Sequence, residues 1–110
     1  MKTYQVIVTP LALEHIRRIT DYIADSLHAP ETALRWLDQT EQAIASLETM
    51  PLRFMAVEDE PWHSKGVRRM LEGNYFVYYV VNEAAGIVHV IAVIYARSDQ
   101  LVKLKELQEN

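Results

Sequence analysis

From Ile87 to Ile94 the chain reads Ile-Val-His-Val-Ile-Ala-Val-Ile, apolar at odd and even positions alike except for His89. Successive side chains of a strand point to opposite faces, so a segment apolar on both must be covered on both. This strand is therefore central in its sheet. Two more strand-like runs precede it, Val67-Arg68-Arg69-Met70-Leu71 and Tyr75-Phe76-Val77-Tyr78-Tyr79-Val80-Val81. Glu72-Gly73-Asn74 joins the first to the second and is a tight-turn sequence. Asn82 to Gly86 joins the second to the central strand, and Ala96-Arg97-Ser98-Asp99 closes the meander.

Upstream the period changes. Tyr4 to Val8 is short and rich in β-branched residues, a first strand. Thr9-Pro10 then starts a helix, with Thr as N-cap and Pro where a missing N–H costs nothing. Leu13, Ile16, Ile23 and Leu27 recur at helical spacing, with Ile19 and Tyr22 widening the stripe, which predicts a helix over 11–27. His28-Ala29-Pro30 breaks it and starts a second helix, whose buried stripe is Ala33, Leu37, Thr40, Ile44 and Leu47, flanked by Trp36. Met50-Pro51 ends that helix. Residues 52–64 read as a loop held down by Phe54 and Trp62. Leu101, Leu104 and Leu107 suggest a short helical tail. The expected fold is α+β, in the order β-α-α-β-β-β. A helical hairpin packs on a mainly antiparallel four-stranded sheet in a two-layer sandwich. The first strand has no partner among the helices, so it joins the meander at an edge or beside the last strand.

Composition narrows the function classes. With 110 residues the chain is one domain, spanning residues 1–110. It has no cysteine, which removes disulfides, thiolate metal sites and a Cys nucleophile. Neither a signal-peptide pattern nor a long apolar run is present, so a cytoplasmic protein without a membrane partner is expected. The formal charge is −4, which argues against direct sequence-specific DNA binding by this chain alone. The charge is uneven: residues 65–105 hold six basic and three acidic side chains, a local excess suited to one docking site.

No histidine pair stands at metal-ligand spacing, so neither a metal site nor any cofactor is expected. His15 and His28 read as surface residues, His89 as a core residue, and His63 alone lies near other basic groups. Gly66, Gly73 and Gly86 each mark a strand boundary and do not form a phosphate loop. What remains is a set of cations and phenols: Lys65, Arg68, Arg69, Tyr75, Tyr95 and Arg97, with His63 and the Glu58-Asp59-Glu60 run nearby. Metal-free RNA cleavage needs a base for the 2′-hydroxyl, cations for the phosphorane and an acid for the leaving oxygen. For such a reaction the candidates are Lys65, Arg68, Arg69, Tyr75 and Arg97. The same arginines match the carboxylates of an acidic partner equally well. Alternation puts Arg68 and Arg69 on opposite faces, and register decides which faces solvent.

The order of elements from Tyr4 to Asp99, with arginines at the margins of an aromatic meander, resembles the RelE/ParE superfamily. These are toxin halves of bacterial toxin–antitoxin pairs, some of them plasmid-stabilisation systems. The ribosome-dependent ribonuclease branch is similar in its third strand to a Tyr-Arg-x-x-Tyr pattern. Here that stretch is Tyr75-Phe76-Val77-Tyr78-Tyr79, with Phe76 in the arginine's place. The ParE branch resembles the chain more closely. Its terminal motif, His-x-Arg-Arg-Asp or similar, aligns with Tyr95 to Asp99, and Arg97 and Asp99 carry over. The resemblance implies a cognate antitoxin as partner. It implies a target that is either DNA gyrase, bound and blocked, or the ribosome, on which mRNA is cleaved; an inactive, antitoxin-binding relative is the third possibility. The expected contact residues for partner or target are Arg17, Arg18, Arg68, Arg69, Tyr95, Arg97 and Asp99.

Overall fold

Three strands stand where alternation places them: β2 (Arg68–Glu72), β3 (Tyr75–Asn82) and β4 (Ile87–Tyr95). β2 pairs antiparallel with β3, and β3 with β4. Gly73, at φ +57°, takes the left-handed conformation that the two-residue turn between β2 and β3 requires. The first strand, β1 (Gln5–Val8), lies parallel to β4, with Gln5 opposite Ile87 and Val8 opposite Val90. The sheet order is β1-β4-β3-β2, so β4 is internal, as its two apolar faces demand. The computed structural model describes residues 2–108; residues 1, 109 and 110, which the single-domain expectation also takes in, lie outside the described residues.

A bulge re-aims β4 halfway along. Tyr78 pairs with Ala92 but Tyr79 pairs with Val90, leaving Ile91 as the extra residue. Before it, Val88 and Val90 face the helices; after it, Val93 does. These valines join Met70, Val77 and Tyr79 from the sheet and Ala12, Ile16, Ile44 and Leu47 from the helical layer in one core. The opposite sheet face is covered too. There Tyr78, Ala92 and Ile94 pack with Val57, Trp62 and Val67 of the long loop and Leu104 of the C-terminal helix α3 (Gln100–Gln108). Phe54 packs on the helix-side core and Trp62 on the far side, so the loop wraps the free end of the sheet.

The helical layer is α1 (Pro10–Asp21) and α2 (Pro30–Ala45). Thr9 caps α1, its Oγ1 accepting from the Ala12 amide at 3.3 Å. The single helix expected over 11–27 instead widens at Tyr22–Ser26 into a π-helical turn, closed by the Leu27 amide donating to the Tyr22 carbonyl at 3.1 Å. His28, at φ +51°, then ends the run. The wider turn rotates its residues off the 3.6-residue stripe. Leu27 and Tyr22, expected in the buried stripe, are exposed; so is Leu13, whose place in the core Ala12 takes. The stripe of α2 holds: Ala33, Thr40 and Ile44 are buried, with Leu47 following in a 3₁₀ turn.

His15 departs from expectation. It is not a surface residue but a half-buried one, its Nδ1 accepting from the Val93 amide at 3.1 Å. β1 ends at Val8 while β4 continues, so Val93 has no strand neighbour on that side, and the imidazole satisfies the donor instead.

Candidate functional site

The two adjacent arginines do different work. Arg68 lies on the helix side, half-buried, with Nη1 donating to the Phe54 carbonyl at 2.7 Å and to the Leu52 carbonyl at 3.3 Å. It is spent on holding the long loop. Arg69 is exposed on the far face, its guanidinium 4.1 Å above the Phe76 ring and 3.5 Å from the Tyr78 hydroxyl. Register settles the orientation: Arg68 opposes Tyr79, and Arg69 opposes Tyr78.

The remaining basic candidates do not gather at one point. Lys65 lies over the Trp62 ring at 5.5 Å, on the loop that covers the far face. Arg97 is exposed in the turn after β4. Asp99 caps α3, its Oδ1 accepting from the Val102 amide at 3.3 Å. Tyr75 points to the helix side, the face opposite to that of Arg69. The set considered for RNA cleavage is thus divided between two faces of the sheet. His63 Nδ1 donates to the Val57 carbonyl, 2.9 Å away, and serves the loop. His89 is half-buried in β4.

A different constellation emerges between the helical hairpin and the end of the sheet formed by the β2–β3 turn, the start of β3 and the close of β4. A groove of about 1030 Å³ runs there, floored by an aromatic row in which Trp36 meets Tyr75 edge-on at 5.2 Å and Tyr75 meets Tyr95 at 5.5 Å. Tyr22 and Leu27, turned outward by the π-helical turn, add to its wall. Arg18, Arg35 and Lys103 stand around it, with Glu106 the acidic member. Burial pushes the Tyr75 phenol above its ordinary range, with Tyr95 and Tyr22 adding to the effect, so it is a neutral hydrogen-bonding group. Burial likewise lowers His15, which lines the groove, and the nearby Arg18 and Lys103 cations reinforce the shift.

Of the expected contact residues, Arg18 and Tyr95 line the groove; Arg17 lies outside it, paired with Glu14 and with Asp21 at 3.3 Å. Arg35 was not singled out by sequence. Its signal is the α2 row Thr32, Trp36, Gln39, all groove residues at helical spacing around it. An aromatic floor rimmed by cations suits a segment that carries both apolar and acidic side chains. Among the described residues no group of three or more His, Cys, Asp or Glu side chains is placed to hold a metal ion, and no helix is long and apolar enough to cross a membrane.

Comparison with known proteins gives the family of the chain. The sequence profile of the ParE toxin of type II toxin–antitoxin systems (parDE) matches residues 6–100. No curated protein sequence matches the chain. Among solved structures, a chain of the chromosomal ParDE system from P. aeruginosa is similar with a TM-score of 0.71 at 16% identity, covering 88% of this chain and 100% of that one. A chain of the RelBE2 toxin–antitoxin complex from Mycobacterium tuberculosis gives 0.61 at 20% identity, covering 86% and 93%. A substituted RelE toxin from E. coli in the free state gives 0.61 at 16% identity, covering 94% and 97%. At these identities the structural likenesses speak for the fold.

Proposed function

Because this chain belongs to the ParE toxin family of type II toxin–antitoxin systems, we propose that it arrests growth by binding DNA gyrase, and that a cognate antitoxin silences it. The toxin needs no cleavage chemistry of its own. It acts in the cytoplasm, through the exposed cations Arg69 on the far face and Arg97 in the turn after β4, while the antitoxin fills the aromatic groove.

One observation carries the choice of binding over cleavage. Where the ribonuclease branch resembles Tyr-Arg-x-x-Tyr, Phe76 stands here, with the Arg69 guanidinium lying on its ring at 4.1 Å. The neighbouring Tyr78 hydroxyl is committed as well, donating to Gln100 Oε1 at 2.8 Å. A phenyl ring neutralises no phosphorane, and losing one such cation costs about 3 kcal/mol of transition-state stabilisation by analogy with an oxyanion-hole donor. An arginine laid flat over an aromatic ring remains a good contact for a protein carboxylate. The antitoxin reading is supported by the solved relatives, of which ParDE and RelBE2 are toxin–antitoxin systems.

The test uses toxin released from its co-expressed antitoxin. Added to gyrase and relaxed plasmid, it is expected to block supercoiling, and antitoxin added back should restore it. Intact gyrase activity together with cleavage of ribosome-bound mRNA would overturn the proposal. Failure of the co-expressed antitoxin to copurify with the chain would overturn the antitoxin part.

A further inference from the structure

Arg97 sits at the crest of the turn that follows β4, and four residues of backbone decide where its side chain points. Within that turn the Ser98 amide donates to the Tyr95 carbonyl at 2.9 Å, and the Ala96 amide reaches the Asn74 carbonyl at 2.8 Å. The rest of the restraint comes from one side chain. Gln100 Nε2 lies 2.8 Å from the Tyr95 carbonyl, 2.7 Å from that of Ser98 and 3.3 Å from that of Ala96. Three carbonyls around one atom fix which end of the amide is nitrogen, since only the NH₂ donates. Its other end, Oε1, accepts from the Tyr78 hydroxyl at 2.8 Å. Tyr78 is fully buried on β3, and Arg69 Nη1 approaches the same hydroxyl at 3.5 Å. A single chain of polar contacts therefore runs from Arg69 through Tyr78 and Gln100 to the carbonyls on either side of Arg97.

We infer that Gln100 is a positioning residue for Arg97: it ties the Tyr95–Asp99 turn to the buried Tyr78 hydroxyl, and so holds Arg97 at a fixed place relative to Arg69. An exposed turn without that tie samples several conformations, and ordering it on contact with a partner opposes binding. Gln100 moves the ordering into the folding of the toxin itself. The inference rests on the reading that Arg97 touches the target, but the holding of the turn can be measured without any target.

The experiment compares Gln100→Ala, Gln100→Glu, Arg97→Ala and the double variant Gln100→Ala/Arg97→Ala, each purified from co-expression with its antitoxin for exchange and induced without it for growth. Gln100→Glu keeps the size and the acceptor for Tyr78 but turns an anion on three carbonyls. Amide hydrogen exchange at Ser98 reports the turn directly. Growth arrest against inducer dose reports function whatever the target. In both Gln100 variants Ser98 exchange should quicken about tenfold, and arrest should need about tenfold more toxin, the scale of one to two lost hydrogen bonds. In the double variant Gln100→Ala should add less than about twofold to the effect of Arg97→Ala, because its action passes through that residue. Full additivity, or unchanged Ser98 exchange, overturns the inference. Undiminished arrest by Arg97→Ala overturns instead the assignment of Arg97 to the target contact, while Ser98 exchange still decides whether Gln100 holds the turn. Should Gln100→Ala fail to fold, Tyr78→Phe removes only the hydroxyl, and a smaller quickening at Ser98 is expected; none would count against the tie.

Discussion

Replacing Arg68 by alanine removes a guanidinium that donates to two loop carbonyls, Phe54 at 2.7 Å and Leu52 at 3.3 Å. A hydrogen bond from a charged donor contributes about 1.5–3 kcal/mol net. The shorter bond is partly buried and counts near that range, whereas the longer one is exposed and adds little, so the working figure is about 2 kcal/mol. Arg69 sits one residue on and carries the same charge, but its contact is an exposed stacking on Phe76. Such a contact is worth about 0.5–1 kcal/mol. The two alanine variants should therefore differ in stability by about 1–1.5 kcal/mol, close to tenfold in the folded-to-unfolded ratio. Urea unfolding of each, read at constant slope, measures this directly. Arg68→Lys should recover part of the loss, because an ammonium reaches one carbonyl but lacks the planar fork. Growth arrest should show the opposite order, with Arg69→Ala the more impaired at equal folded protein. Equal destabilisation by the two variants, or a greater loss in Arg69→Ala, would refute the assignment of Arg68 to the loop and Arg69 to the surface.

Tyr79→Phe strips a buried hydroxyl that donates to the Pro51 carbonyl at 2.6 Å, and should cost about 1–3 kcal/mol in thermal or chemical unfolding because that carbonyl is left unpaired; a neutral result would mean the bond holds nothing. The same burial pushes the Tyr79 phenol up to about 12, so this loss should not vary between pH 6 and pH 9. His15 is held below its ordinary range, chiefly by burial, so the unfolded chain binds the extra proton first. Stability is then full above about pH 6.5 and falls as pH drops from there towards the lower folded value. His15→Gln, a neutral acceptor for the Val93 amide, should flatten that part of the stability profile, and an unchanged slope would contradict the role given to the imidazole. Trp36→Ala, at the head of the aromatic row, should weaken antitoxin binding by more than about 30-fold if the groove is its seat, the scale of an aromatic interface anchor; unaltered affinity by calorimetry would move the antitoxin elsewhere.

The sheet and its order were open to inspection in the sequence because strand alternation is a strong local signal. Ile87 to Ile94 is apolar on both faces, and β4 proves to be internal with a core on each side. Where tertiary context overrides the local period, the structure departs from the sequence pattern. The π-helical turn at Tyr22–Ser26 has no composition signal, yet it turns Leu27 and Tyr22 out of the core and into the groove. His15 follows Ala12 by three and precedes Ile19 by four, which puts it beside the buried stripe of α1. Its polarity hid that position, and its partner, an amide orphaned where β1 stops, follows only from strand lengths in three dimensions. The cations were found by type but not by place. Alternation separated Arg68 from Arg69, but only the position of the Phe54 carbonyl shows which one is occupied. Gln100 has no sequence signal, because one glutamine near a helix start carries no pattern and its four contacts arise from the folded turn.

The most direct test of target binding without cleavage is pulse labelling of DNA and protein synthesis during the first minutes of induced expression in bacteria. DNA synthesis should halt first, with DNA-damage signalling, while mRNA stays whole and translation continues. Translation stopping first, with fragmented mRNA, would contradict it.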